Sequence, residues 1–420
     1  MQPEALPSAS PARPIRLAVF TSHPIQYQAP LFRAMACRAE LAPTVFFASR
    51  HGVDDSYDPG FGRAIAWDIP LLDGYEHIFL ENTAWRPSVS RFLGVNVPGI
   101  AGHLSRARFD AVMVFGWHTL GHLQAIRAAR RAGLPVVLRG ESTLTMLPTG
   151  RLRTIARTNL WLPVRRPIYR RALRSVSAVV ATGTRNAEYF RHFGVPAERI
   201  FRALYCVENE RFALCGPDRE RDRARIRAQI GAGEAETVFV VSGKLVGGKR
   251  PLDALKAFAR LGRENENCHL LYLGDGPQRP RVESEAAQLG LRQRVFVSGF
   301  INQSEIPAWY AAADCLIHPS RSETWGLVVN EAMAAGLPVI ASDAVGCVPD
   351  LVHPGKNGAV FPVGSIPDLR RLLREIICLP PEARAELGRR SREIVQAATF
   401  ERVVDACIHA LRLAATSAPA

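Results

Sequence analysis

Long apolar runs are missing from this chain. Nowhere in its 420 residues do the ~20 consecutive apolar positions of a membrane-spanning helix occur, and a helical span is not expected. Cysteines are scattered: none of the eight (Cys37, Cys206, Cys215, Cys268, Cys315, Cys347, Cys378, Cys407) forms a Cys-x-x-Cys, and histidines do not cluster at ligand spacing. No metal site and no cofactor is therefore expected, and a reduced compartment is the economical reading. Nucleic-acid fingerprints are also lacking, although the formal net charge is +14. That charge favours acidic partners in general, and nucleic acid is not expected among them. The segment Met1–Pro14 is rich in Pro, Ala and Ser and reads as a disordered lead-in. Its one basic residue, Arg13, precedes an apolar run too short for a signal-peptide core. The expected location is cytoplasmic, or peripheral on the cytoplasmic face of a membrane.

What is present is a length that exceeds one ordinary core, so two domains of roughly 180–200 residues are expected. Hydrophobic content of 47% and charged content of 22% are ordinary for globular proteins. Apolar runs alternate with polar loops and helical patterns, the signature of a doubly wound α/β fold. In the first half, Ile15–Phe20 reads as a buried strand leading into a loop with His23 and Tyr27. Thr44–Ala48, Asp110–Phe115, Leu134–Leu138 and Ser177–Thr182 read as further strands, the last closing this half. His118 and Glu141 follow two of them. Ligands bind at the carboxyl ends of parallel strands, which places His23, Tyr27, His118 and Glu141 as candidates. Each has a plainer reading, as a polar loop residue or a hydrogen-bonding fixture. Asp54–Trp67 is turn-rich and unpatterned, a functional or mobile loop.

Arg151–Arg174 contains no acid. Eight arginines interleave with Leu152, Ile155, Trp161, Ile168 and other apolar residues. Such a stretch fits an anionic bilayer surface; an ordinary solvated face is the competing reading.

In the second half, Thr237–Ser242 reads as a strand followed by Gly243-Lys244-Leu-Val-Gly247-Gly248-Lys249-Arg250. The spacing is nearly that of a P-loop, but Arg250 stands where the Mg²⁺-binding hydroxyl belongs. Two lysines and mobile glycines at a strand end remain, a clamp for a diphosphate that neutralises charge without metal. Strand–loop–helix units follow at His269–Leu273, Arg294–Ser298, Cys315–Pro319 and Val339–Ser342, five in all. The fourth delivers Glu323 in a loop and Glu331 in a helix that begins near Gly326. Free N–H groups at that helix start suit an anion, and the carboxylates suit hydroxyls. Two solvated glutamates on a surface helix is the alternative.

Between Thr237 and Pro362 these motifs resemble the family 4 (group 1) glycosyltransferases of the GT-B fold. The carriers are Gly243-Lys244…Lys249, Gly274-Asp-Gly-Pro277, Val297-Ser-Gly-Phe300, Glu323-x7-Glu331, Ala335-Gly-Leu-Pro-Val-Ile340 and Asn357-Gly358, in the family's order and spacing. The first loop, Ser22-His-Pro-Ile-Gln-Tyr27, looks like that of a subset of the family. The resemblance implies two Rossmann-like domains with the active site in the cleft between them. Residues 15–205 would bind acceptor, 206–230 form hinge and linker helix, and 231–398 bind nucleotide sugar; within 399–420 a helix would cross back to the first domain. It further implies metal-independent transfer with retention of anomeric configuration. Gly243, Lys244 and Lys249 would grip the donor diphosphate, with Lys244 standing where many relatives carry Arg, which keeps the charge but not the bidentate geometry. Glu323 would face the donor sugar, with His118 pointing at it as well. Gly326 and Leu327 would offer N–H groups to the sugar phosphate. Glu331 would bind the ribose, and Gly276 and Phe300 would lie near the base. The acceptor would be a glycan or a lipid-linked sugar, in cell-surface polysaccharide or glycolipid synthesis. A sugar-nucleotide epimerase of the same fold and a catalytically silent, membrane-bound nucleotide scaffold are the other readings; the intact lysine and glutamate set argues against the scaffold.

Overall fold

The computed structural model describes residues 13–58, 60–106, 109–146, 169–262 and 266–416. Of the basic stretch 151–174, residues 151–168 lie outside the described residues.

The strands of the first half are β1 (Ile15–Thr21), β2 (Leu41–Phe47), β3 (Ser56–Asp58), β4 (Arg63–Ile65), β5 (Glu76–Phe79), β6 (Ala111–Phe115), β7 (Val136–Gly140), β8 (Ala178–Ala181) and β9 (Ile200–Arg202). Seven of them form a parallel sheet in the order β5-β2-β1-β6-β7-β8-β9. Central strands are covered by helices on both faces, so β6 and β7 are buried at every position and need continuous apolar sequence. The order reverses between β1 and β6. Loops that leave neighbouring strands in opposite directions open a crevice there, and His23, Tyr27 and His118 sit at its rim. Ser177–Thr182 is not the last strand of this half. β9 follows it at the edge, and its three residues were too few to show as an apolar run.

The second sheet contains β10 (Thr237–Ser242), β11 (Cys268–Leu273), β12 (Val295–Val297), β13 (Cys315–His318), β14 (Val339–Ser342) and β15 (Gly358–Phe361). All pair in parallel, in the order β12-β11-β10-β13-β14-β15. The expected five units are thus six strands: β15 is short, begins at a glycine and is only half buried, so it carries a weak apolar signal. Here the order reverses between β10 and β13. The glycine–lysine loop after β10 and the Glu323 loop after β13 therefore flank one crevice.

Two chain crossings join the halves. The first runs through Tyr205 to Asn209. The second leads into the helix Phe400–Thr416, which buries Val403, Val404, Cys407, Ile408, Leu411 and Ala414 in the same core as Leu17, Val19, Val137 and Val180 of the first sheet. Arg38 pairs with Asp405 at 2.6 Å. Asn209 Nδ2 ties the crossings together, donating to the carbonyls of Val395 (3.2 Å) and Ala398 (3.1 Å).

The expected unpatterned loop Asp54–Trp67 contains the antiparallel hairpin β3–β4. It leaves the first sheet and rests on the second domain. On the far side of the cleft, Thr184 donates from its backbone N (2.9 Å) and its Oγ1 (2.7 Å) to Asp350. Gly183 lies flush against the Trp325 ring, where a Cβ would collide.

Because Leu411 is fully buried under the first sheet, Leu411→Ala is expected to cost about 3 kcal/mol of unfolding free energy in urea. A loss below about 1 kcal/mol would show that the helix does not belong to that core.

Candidate active site

The two crevices face each other and enclose a cavity of about 400 Å³. His23, Tyr27 and Glu141 line it from the first domain; Gly243, Lys244, Lys249, Phe300, Glu323, Gly326, Leu327 and Glu331 line it from the second. Two of the sequence candidates stand apart from the wall. His118 is exposed at the end of β6, with Nε2 3.1 Å from the carbonyl oxygen of Val89. Gly276 lies behind the wall, under the hairpin turn.

Gly326 lets the Glu323 loop join its helix. Its φ of +101° suits glycine, and a Cβ would stand 3.0 Å from Val345. The helix Leu327–Ala334 starts directly afterwards, so its first N–H groups open toward the cavity. Asn330 at its centre accepts from Trp325 Nε1 (2.8 Å) and donates to the carbonyl of Tyr205 (2.9 Å). The helix is thereby fastened to the first crossing.

The charges of the cavity are paired. Lys249 contacts Glu323, while Lys244 Nζ lies 3.0 and 2.8 Å from the two oxygens of Asp58 on the hairpin. Burial alone would raise the Glu323 carboxyl; His318, 3.5 Å away, and the Lys249 ammonium outweigh it and hold it at about 2. Burial pushes His318 below its ordinary value, with Glu323 opposing the shift. Glu323 is therefore a fixed negative charge at any physiological pH. Glu331 behaves oppositely. Burial pushes it up to about 7, only partly offset by the Tyr310 hydroxyl donating at 2.9 Å and by Arg211 and Lys249. Two carboxylates eight positions apart are thus shifted in opposite directions: one has His318 and a cation beside it, the other chiefly a phenol.

On the opposite wall, burial also raises Glu141, which accepts from the Tyr205 hydroxyl at 2.8 Å. Tyr27 meets Tyr205 edge-on at 5.5 Å, and its hydroxyl is raised by burial. Burial and the neighbouring His51 and His118 lower His23 to about 3, leaving it neutral; its Nδ1 lies 2.8 Å from Ser22 Oγ. This wall offers hydroxyls, a neutral imidazole and a high-pKa carboxyl, groups suited to a polar uncharged molecule.

Sequence reading marks Asp54–Trp67 as a functional or mobile loop without singling out Asp58, Phe61 and Trp67, which line the cavity, and does not single out Tyr205 or Trp325, which also line it. No local motif marks the hairpin residues. Asp58 finds its lysine 186 positions away.

Folding holds the Glu331 proton from the ordinary carboxyl value of 4.5 up to about 7, whereas the unfolded chain has already released it. This contribution is full below about pH 4.5 and is lost as pH rises toward 7. Glu331→Gln removes it. From about pH 5 to about pH 8 the variant is expected to gain stability relative to the native chain, by up to roughly 3 kcal/mol in urea unfolding. Parallel pH profiles for the two proteins would contradict a raised Glu331.

Comparison with known proteins places the two halves. Residues 25–203 match the model of the glycosyl transferase 4-like domain, and residues 222–394 that of the group 1 glycosyl transferases. The chain is 29% identical over 263 residues to an alpha-D-kanosaminyltransferase of Streptomyces kanamyceticus, covering 62% of this chain and 65% of that protein. It is 32% identical over 186 residues to a sulfoquinovosyl transferase of Arabidopsis thaliana, covering 42% of this chain and 35% of that one. The chain thus spans less than two thirds of the length of either. A 2-deoxystreptamine glucosyltransferase of Streptomyces kanamyceticus is 28% identical, over 72% of this chain and 79% of its own. Among solved structures, Anabaena HepE in complex with UDP and glucose superposes with a TM-score of 0.69 at 18% identity, covering 95% of this chain and 99% of that one. A glycosyltransferase from Rickettsia africae reaches 0.72 at 14%, covering 97% and 100%. With both domains matched and the whole fold shared, this chain belongs to the group 1 glycosyltransferases and has their two-domain GT-B fold.

Proposed function

We propose that the protein transfers a sugar, with retention of configuration, from a nucleotide-diphosphate donor to a glycan or lipid-linked acceptor in cell-surface polysaccharide or glycolipid synthesis. The observation that carries this reading is the pairing of a two-lysine loop and an ionised glutamate across one switch point. Breaking the bond from the anomeric carbon to the diphosphate leaves negative charge on the phosphate and positive charge on the ring. Lys244, Lys249 and the N–H groups after Gly326 stabilise the leaving group. Glu323, held ionised at about 2, faces the developing positive charge. Glu331 takes the ribose. The complex of HepE with UDP and glucose supports a nucleotide-sugar donor in this fold.

His23, Tyr27 and Glu141 receive the acceptor, whose hydroxyls match their hydrogen-bonding character. His118, held by the Val89 carbonyl at the end of β6 and off the cavity wall, is assigned to the donor sugar by the family resemblance alone. The stretch Arg151–Arg174 brings the enzyme to the anionic face of the membrane that carries a lipid-linked acceptor.

A thermal-shift panel of nucleoside diphosphates and their sugars is expected to show one base series that raises Tm in proportion to affinity. With that donor, Lys249→Ala and Glu323→Ala are each expected to lower transfer by about 10²-fold or more. Full transfer by both variants would displace the site from this cavity. Sedimentation with vesicles containing anionic lipid tests the membrane contact: binding is expected to fall with salt and to vanish when Arg165, Arg166, Arg170 and Arg171 become Gln. Unchanged binding by that variant would leave the stretch a solvated face.

A further inference from the structure

The β3–β4 hairpin belongs to the first half of the chain and is bonded to it through Gly52 N, which donates to Ser56 Oγ at 3.3 Å, yet its turn rests on the second domain. Asp58 closes β3 and places both carboxylate oxygens on Lys244 Nζ, at 3.0 and 2.8 Å. In the turn, Phe61 meets Phe300 edge-on at 5.0 Å, and Arg63 lies 5.4 Å over the same ring. Asn302 Nδ2 donates to the Ala66 carbonyl at 2.9 Å, and Ser304 N donates to Asp68 at 3.2 Å. The approach is so close that a Cβ on Gly276 would lie 2.7 Å from the carbonyl oxygen of Gly60. The hairpin covers the two positions, Gly276 and Phe300, assigned above to the donor base.

We infer that Asp58 is a latch displaced by the donor: its carboxylate holds Lys244 where the donor diphosphate must bind, and diphosphate binding exchanges one anion for the other and releases the hairpin. The inference rests on the donor reading above. Lys244 and Lys249 are balanced by Asp58 and Glu323, so an entering diphosphate meets as much negative as positive charge. One carboxylate has to yield. Glu323 is held in place: His318 and Ser320 sit beside it, and Gly326 turns its loop straight into a packed helix. Asp58 rides on a three-residue strand that, among the described residues, pairs with β4 alone, and a hairpin of that size has little stability of its own. Its remaining bonds, accepted by Oδ1 from the N–H groups of Gly60 (2.7 Å) and Phe61 (3.3 Å), are internal to the turn and travel with it. Burial would raise the Asp58 carboxyl, but Lys244 and these N–H groups keep it below its ordinary value, so it competes as an anion at neutral pH. An affinity-setting residue for the donor thus comes from the opposite domain.

Asp58→Asn keeps the side-chain shape and an acceptor for the turn while removing the charge. Titration calorimetry with pyrophosphate and with UDP, GDP, ADP, CDP and dTDP compares it with the native chain. The variant is expected to bind pyrophosphate, and the nucleoside diphosphate that the native chain accepts, on the order of tenfold more tightly. Hydrogen exchange of residues 52–68 is expected to accelerate when pyrophosphate saturates the native chain, and to be fast in the variant from the start. If the native chain binds none of the nucleoside diphosphates, the donor reading falls and takes the latch with it. If it binds one and Asp58→Asn binds it no more tightly, the latch alone is overturned. Tighter binding with hairpin amides that stay protected would overturn the release.

Discussion

Two ammonium groups at the mouth of a parallel sheet require counter-charge, and this protein draws it from two different places. Lys249 is matched within its own domain by Glu323, and Lys244 across the cleft by Asp58. The contacts of the hairpin accompany that arrangement: with Asp58 on Lys244, the hairpin turn lies on Gly276 and Phe300. The same pairing sets the electrostatic character of the cavity. Glu323 stays ionised because His318 and the Lys249 cation sit beside it, whereas burial raises Glu331, which the Tyr310 phenol offsets only in part.

The choice of cation matters. Of 53 basic residues only four are lysines (Lys244, Lys249, Lys256 and Lys356), and two of these line the cavity. An arginine fork holds a carboxylate through two fixed bonds. A lysine is a compact point charge whose three donors can be redirected, so it gives up one anion for another at lower cost. A loop that must exchange a protein carboxylate for a phosphate is better served by it.

Much of the fold was legible because a strand buried on both faces is a continuous apolar run, as in β6, β7, β10 and β11. The loops after β10 and β13 could be placed for the same reason, since a strand end in a parallel sheet is a fixed address. What escaped were short strands at or near the edges, β5, β9 and β15, with only three or four residues each and incomplete burial. The hairpin escaped for a different reason. Ser56–Asp58 and Arg63–Ile65 carry little apolar signal because they pair as a hairpin of three-residue strands and are mostly not buried. Glu323 and Lys249 could be matched by motif; Asp58 and Lys244 could not, since pairing at that distance along the chain is a property of the assembled cleft.

The Asn209 tie between the crossings has a mechanical consequence. Two chain segments that pass side by side and are bonded to each other act as a strap hinge rather than a swivel. Twist of one domain about the other would work against these two bonds. Asp350 with Gly183 and the hairpin with Lys244 lie on opposite flanks of the cleft. Opening of the cleft would therefore have to part contacts on both flanks while the bonded crossings hold at its base.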